Sequence, residues 1–291
     1  MADVFDIAVI GGGPAGLSAV LTAKNRNKSV LLFEHLAFSP KLQKAHQIDN
    51  YLGLPNVTGA AMMDVFSQHA LSREPVLVKE KVVNIFATNP NFMLVTGKET
   101  YQAKSVILAT GLMMANLFDG EKELLGRGVS YCVTCDGMFY RGKNVAVVSY
   151  TAEAEEESNF LAEICQSVTY LPQYKGNYER LDKAIAVFAA KPQKVCGEEQ
   201  VSELMTDQAA LPIDGLFIMR ESDPVESLLP ELELDDKVVL VDRQMATNVP
   251  GVFAAGDCTG KPWQIAKAVG EGLVAALSAV SYLDGQKQER K

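Results

Sequence analysis

The chain has no unbroken apolar run of the roughly 18 to 20 residues that a bilayer-crossing helix needs. Its longest apolar stretches, Gly272 to Val280 among them, are interrupted by small or polar residues, so no membrane helix is expected. It also lacks the basic n-region, apolar core and cleavage site of an export signal. The opening MADVFDIAVIGGG runs straight into a strand and a glycine loop, and a cytoplasmic location is expected. Positive charge is scarce: 27 Lys and Arg stand against 36 Asp and Glu, a net charge of −9. Little is left to release phosphate counterions, which argues against general nucleic-acid binding. The five cysteines are an odd number and make no structural disulfide framework. Cys165, Cys196, Cys258 and the three histidines show no second paired spacing, so those cysteines are read as small buried hydrophobes.

What is present reads as α/β. Hydrophobic residues make up 48% of 291 positions, enough for one large core or two smaller ones. Residues 5–10 (FDIAVI) read as a buried parallel strand, 11–16 as a tight turn, 17–27 as a helix and 29–34 as the next strand. An amphipathic helix is expected near 58–72, with short strands near 76–79, 81–87, 91–96 and 100–102, then an apolar strand over 105–109. A second βαβ pattern begins at Lys143, with a strand, a helix over about 152–166 and the strand SVTYLP. Further on, 252–255 reads as a buried strand and about 264–283 as a long closing helix.

Two motifs carry chemistry. Gly11-x-Gly13-x-x-Gly16 follows a strand and opens a helix, and Glu34 ends the second strand. Glycines there let a backbone approach a pyrophosphate, the helix start receives its charge, and the acid suits a ribose hydroxyl. The second motif is Cys132-Val133-Thr134-Cys135-Asp136-Gly137. Two thiols at this spacing beside a helix start can form a short redox disulfide, with thiolate favoured by the helix dipole and Asp136 as proton shuttle. The rival is half of a zinc site, which needs two further ligands.

At this point a family resemblance covers essentially the whole chain. GGGPAG (11–16), IDNYLGLP (48–55), VILATG (106–111), GRGVSYCVTCDG (126–137) and VPGVFAAGD (249–257) resemble the low-molecular-weight thioredoxin reductases. The resemblance implies two nucleotide-binding, Rossmann-like α/β domains, the second inserted into the first. A discontinuous FAD domain would span 1–114 and 243–291, and a redox-disulfide domain 115–242. It implies that Gly11, Gly13, Pro14, Ala15, Gly16 and Glu34 hold the ADP half of FAD and that Asn50 lies near the isoalloxazine. Val83, Ala109, Thr110 and Gly111 are placed on the cofactor, Gly256 and Asp257 on its ribityl or pyrophosphate, and Gln264 and Ile265 at the flavin's pyrimidine edge. Cys135 would face the flavin and Cys132 would attack thioredoxin. A homodimer is implied.

Two departures set the chain apart from that pattern. Ser39-Pro40-Lys41 stands where the family shows Gly-Gly-Gln. In the inserted domain, Ser149-Tyr150-Thr151 and Pro172-Gln173-Tyr174-Lys175 replace a second glycine fingerprint and the basic cluster that holds the NADPH 2′-phosphate. Without glycine at 149–151, side chains crowd the path of a pyrophosphate, and Glu153, Glu155, Glu156 and Glu157 crowd the same helix start. One lysine does not replace guanidinium forks. In the loss of its nicotinamide site the chain resembles the ferredoxin-dependent flavin thioredoxin reductases, and that resemblance implies reduced ferredoxin as donor, with Lys24, Arg26, Lys28, Lys41 and Lys44 as a basic surface for it. Three alternatives stand beside this reading: a diflavin disulfide oxidoreductase in which Tyr150 and Tyr174 stack on a second flavin, an NADPH-dependent reductase, and a non-catalytic flavin redox sensor.

Overall fold

Apolar strands that end at glycine or a polar residue build a parallel sheet whose carboxyl ends all emerge on one edge. The computed structural model describes residues 3–111, 117–152, 154–220, 224–235 and 237–289. The chain divides into two compact units, the first formed by residues 1–112 and 224–291 and the second by residues 113–223.

In the first unit, β1 (Val4–Ile10), α1 (Pro14–Asn25) and β2 (Val30–Phe33) form a βαβ unit. α2 (Pro40–Gln43) and α3 (Gly59–Leu71) follow, then β3 (Val76–Val78), β4 (Val82–Ala87), β5 (Phe92–Thr96) and β6 (Thr100–Leu108). The sheet runs β3-β2-β1-β6-β5-β4, with β1, β2, β3 and β6 parallel. The sequence reading split β6 in two at Lys104. The strand is continuous: the ladder with β1 holds on both sides of Lys104, at Ala103 and Ser105, and Lys104 Nζ reaches Asp6 at 2.8 Å.

The second unit has β7 (Val129–Ser130), α4 (Val133–Asp136), β8 (Asn144–Ser149), α5 (Ala154–Ile164), β9 (Ser167–Pro172) and β10 (Ala186–Val187). An antiparallel set follows, β11 (Pro192–Cys196), β12 (Glu203–Thr206) and β13 (Ala210–Pro212), before β14 (Gly215–Met219). Its parallel sheet runs β10-β9-β8-β14-β7. Both halves therefore wind as doubly wound α/β units, as the sequence pattern implied.

The chain rejoins the first unit at Pro224, earlier than the expected residue 243. α6 (Val225–Leu228) is the reason: Val225, Leu228, Leu229 and Leu232 are buried with Ala8, Leu31 and Val106 of the first unit's sheet. The other expected boundary, at 114, lies outside the described residues. β15 (Leu234–Asp235) and β16 (Val238–Val239) form a short hairpin, and β17 (Val252–Ala254) pairs in parallel with the C-terminal half of β6. α7 (Ile265–Glu289) closes the chain. It is longer than expected and, over 265–286, long and apolar enough by length and composition to cross a membrane, which counting unbroken apolar runs did not reveal. One face is committed to the core: Ala268, Ala275, Ala276, Ala279 and Leu283 are buried. A Cβ at Gly272 would lie 2.1 Å from the carbonyl oxygen of Ala15, so glycine is what lets α7 pack onto α1.

Candidate functional site

In the first unit, four parallel strands end side by side, and the residues after them make one edge. β1 leads into Gly11 to Gly16, β2 into Glu34, β6 into Ala109, Thr110 and Gly111, and β17 into Gly256 and Asp257. The carboxyl edge of a doubly wound sheet is where such folds bind nucleotides. Gly11 has φ +107°, and a Cβ there would sit 2.3 Å from the Ala109 carbonyl oxygen. At Gly16 a Cβ would sit 1.8 Å from the Gly11 oxygen, so these two glycines are fixed by packing. Gly13 is different: its Cβ position meets no atom within 4 Å. Gly13 also caps α1 without a side chain, and Pro14 opens the helix with no N–H of its own to satisfy. The start of α1 thus presents backbone donors to open space, which fits a pyrophosphate.

Glu34 faces the same loop, its Oε2 accepting the Gly12 N–H (2.8 Å) and its Oε1 the Leu36 N–H (2.9 Å). Burial pushes its carboxyl above the usual range, against these backbone donors, which lower it. Each carboxylate oxygen keeps a lone pair for a ribose hydroxyl. Asp257 is likewise raised by burial and lowered by Lys41 and Lys267. Asn50 donates to Gln264 Oε1 at 2.9 Å, tying the 48–57 loop to the residue before α7, where Ile265 is the first helical position. Val83 stands apart from the strand ends, half-buried at a register shift in β4 between Val82 and Asn84.

The sequence reading missed Lys267 and Glu271. Lys267 Nζ donates to the carbonyls of Gly256 and Gly260 (both 2.8 Å) and to Thr259 Oγ1 (2.9 Å), while Glu271 Oε2 accepts the Gly256 N–H at 2.9 Å. Together they pin the turn that carries Asp257. An i,i+4 charge pair inside an otherwise apolar helix was the available signal. Cys258 is buried beside this turn, its thiol pushed up to about 11 by burial, in keeping with a small core residue. Ser39 takes φ +49°, a left-handed conformation that glycine adopts more readily, at the position where the family pattern has Gly-Gly-Gln.

In the second unit, Cys132 and Cys135 form a disulfide with Cα atoms 5.3 Å apart. α4 spans only four residues, so little helix dipole is available to the pair, contrary to the sequence argument. What acts instead is local: the Cys135 N–H donates to Cys132 Sγ at 3.1 Å. Ser130, buried on β7, accepts the Cys132 N–H (3.0 Å) and donates to Asp136 Oδ2 (2.7 Å), holding the carboxylate beside the disulfide. Cys132 is half-buried and Cys135 exposed.

At the carboxyl edge of this second sheet the described side chains contact one another. β8 and β14 are neighbours at the point where strand order reverses, the usual crevice for a dinucleotide. After β8, Ser149 Oγ donates to the Thr151 carbonyl (2.6 Å) and the Tyr150 N–H donates to Met219 (2.9 Å). After β14, Arg220 pairs with Glu121 and lies 5.2 to 5.9 Å from the rings of Phe118, Tyr150 and Tyr131. On α5, buried Glu155 accepts from Tyr174 Oη (2.5 Å) and from the Arg180 N–H (3.1 Å). Tyr150 and Tyr174 are thus engaged internally. Glu153 lies outside the described residues.

Comparison with known proteins agrees with this geometry. Residues 5–272 match the family model for pyridine nucleotide-disulphide oxidoreductases. A thioredoxin reductase of Treponema pallidum is 33% identical over 96% of this chain and 97% of its own. A bifunctional thioredoxin reductase/thioredoxin of Mycobacterium leprae is also 33% identical, and the chain spans 66% of that protein's length. The crystal structure of a ferredoxin-flavin thioredoxin reductase from Clostridium acetobutylicum superposes with a TM-score of 0.92 at 42% identity, covering 98% of this chain and 99% of that one. The chain belongs to the pyridine nucleotide-disulphide oxidoreductase family and is a homologue of the thioredoxin reductases within it.

Proposed function

We propose that the chain is a cytoplasmic, homodimeric FAD-dependent thioredoxin reductase that draws electrons from reduced ferredoxin and passes them through Cys132 and Cys135 to thioredoxin. The observation that carries the choice of donor is the set of internal contacts at the crevice of the second unit. Arg220 with Glu121, and Tyr150 with the closed Ser149 turn, occupy the edge where a nicotinamide dinucleotide would lie. The likeness to the Clostridium ferredoxin-flavin enzyme supports the same donor.

The first unit is the FAD domain in this reading. Gly11, Gly13, Pro14, Ala15 and Gly16 cradle the pyrophosphate, Glu34 takes the ribose, and Asp257, on its pinned turn, the ribityl or pyrophosphate. Ala109, Thr110 and Gly111 line the cofactor, and Asn50, Gln264 and Ile265 address the ring, with Val83 assigned by resemblance alone. FAD when bound supplies the exchange between one-electron and two-electron chemistry. The protein's own part is thiol chemistry. Opening the disulfide to two thiols takes two electrons and two protons, and in this reading Asp136, which accepts from Ser130 Oγ, delivers one of the protons to the pair. Cys132 thiolate then attacks the thioredoxin disulfide and Cys135 resolves the mixed disulfide.

Anaerobic absorbance of the flavin, with NADPH, NADH and reduced ferredoxin in parallel, tests the proposal. Reduced ferredoxin should bleach the flavin and both nicotinamides should leave it oxidised. Rapid bleaching by NADPH would overturn the choice of donor. Denaturing extraction should release about one FAD per chain, because the Tyr150 ring lies against Arg220 and the Tyr174 ring against Tyr178.

A further inference from the structure

The basic surface expected from sequence is kept in part, with Arg26, Lys41 and Lys44 exposed. Lys28 is buried in a 2.6 Å pair with Asp284, and Lys24 is half-buried on α1. A different surface lies beside the cofactor edge. The Asn50–Gln264 hydrogen bond joins two exposed segments, and each carries a large apolar side chain out into solvent. Leu52, on the turn closed by the Leu54 N–H to the Tyr51 carbonyl, is 98% exposed. Trp263, the only tryptophan in the sequence and adjacent to Gln264, is 51% exposed. Neither shields a core gap. Lys261 Nζ stands 5.3 Å from the Trp263 ring and so fixes both the ring and a positive charge at its face. Lys41, on α2, acts on Asp257 at the same strand edge, and Lys44 and His46 are exposed just beyond it. Asp49 is the acidic neighbour, and it accepts both of its bonds from Gln47.

We infer that Leu52, Trp263 and Lys261 form the docking surface for a small acidic one-electron carrier protein, at the flavin edge marked by Asn50 and Gln264. A partly exposed tryptophan with a rim of lysines is the composition of an interface centre, with apolar contact for affinity and charge for steering. On a chain of net charge −9, a local cationic rim selects an acidic partner by contrast with the rest of the surface. Each docked carrier gives up one electron. Two dockings supply the pair of electrons that opening Cys132–Cys135 to two thiols consumes, with two protons drawn ultimately from solvent, one of them by way of Asp136. The inference rests on the ferredoxin reading above and adds the place of contact.

The test uses the flavin-loaded protein and purified ferredoxin. Wild type, Trp263→Ala, Leu52→Ser and Lys261→Glu are compared in three measurements: calorimetric affinity for oxidised ferredoxin, the second-order rate of flavin bleaching by reduced ferredoxin, and reduction of thioredoxin by enzyme pre-reduced with dithionite. Each variant should bind ferredoxin at least fivefold more weakly and bleach correspondingly slower, with Lys261→Glu losing much of the salt dependence. Thioredoxin reduction by the pre-reduced variants should match wild type, since none of the three residues belongs to the disulfide site. Unchanged affinity and bleaching in all three variants would overturn the surface while leaving ferredoxin as donor. A wild type that ferredoxin neither binds nor reduces would sink the donor reading itself. Sedimentation separates the remaining occupant: a change of oligomeric state in Leu52→Ser or Trp263→Ala would assign the patch to a second copy of the chain and overturn the inference.

Discussion

Arg220 and Glu121 meet in a bidentate pair, Nη1 to Oε1 at 2.5 Å and Nη2 to Oε2 at 2.8 Å, with neither side chain more than 2% exposed. Tyr131 Oη donates to the same carboxylate at 2.8 Å, so the residue preceding Cys132 is anchored to it. Removing one partner leaves a buried charge uncompensated. Arg220→Met or Glu121→Gln should therefore cost about 3–5 kcal/mol in denaturant unfolding, and the double replacement by apolar residues should recover much of that loss. Equal losses in the single and double variants would show that packing, not charge compensation, sets the cost.

The glycine loop separates a packing role from a binding role. Gly16→Ala would place a methyl 1.8 Å from the Gly11 carbonyl oxygen, so the loop must shift, and a loss of about 1–3 kcal/mol or more is expected with or without cofactor. Gly13→Ala meets no protein atom within 4 Å, and Gly13 already has φ −74°. Its apoprotein should unfold within about 0.5 kcal/mol of wild type, yet its FAD retention on gel filtration should fall. An apoprotein and a holoprotein both unaffected by Gly13→Ala would place the pyrophosphate elsewhere.

Glu34 yields a pH dependence of defined sign. Burial raises its folded pKa above the unfolded value, so its contribution favours the folded apoprotein below the unfolded pKa and is lost as pH rises through the folded one. Replacing it by Gln removes that dependence and, with it, one acceptor for the Gly12 or Leu36 N–H. The acceptor loss is a constant offset. Between about pH 4 and pH 7 the apoprotein melting point of Glu34→Gln should therefore rise relative to wild type. FAD binding should move the other way, weakened in the variant by the about 1.5–3 kcal/mol of a hydrogen bond to a charged group.

Legibility in the sequence followed a simple physical rule: features set by local backbone chemistry were visible, and features set by long-range packing were not. The glycine loop, Glu34 and the Cys-x-x-Cys pair are local, and the parallel strands that carry the loop residues are apolar runs closed by glycine or polar residues. β6 was split because Lys104 looks like a break until Asp6, on a distant strand, is seen to take its charge. The return at Pro224 was hidden because the Val225 to Leu232 segment reads as a short apolar stretch whose destination is fixed only by Leu31 and Val106. Arg220 directly after the apolar GLFIM strand was a visible oddity, but its partner Glu121 lies 99 residues away. Lys28 looked like surface for the same reason, since Asp284 sits at the far end of the chain.

The two cysteines should separate on mutation. Exposure alone would give Cys135 the attack on thioredoxin, because it is exposed and Cys132 is half-buried. The hydrogen bond argues the opposite: the Cys135 N–H points at Cys132 Sγ from 3.1 Å and would stabilise a thiolate there, and the stabilised thiolate is the nucleophile at neutral pH. That bond survives replacement of the Cys135 side chain, since its donor is backbone. Cys135→Ser should therefore keep a backbone donor at the Cys132 sulfur, alkylate with iodoacetamide faster at neutral pH than Cys132→Ser does, and trap a mixed disulfide with a thioredoxin lacking its resolving cysteine. Cys132→Ser should keep the Cys135 thiol, which gains no such donor, and should alkylate more slowly and lose thioredoxin turnover. Trapping of thioredoxin on Cys135 in Cys132→Ser, at a rate equal to that of the Cys132 adduct, would reverse the assignment.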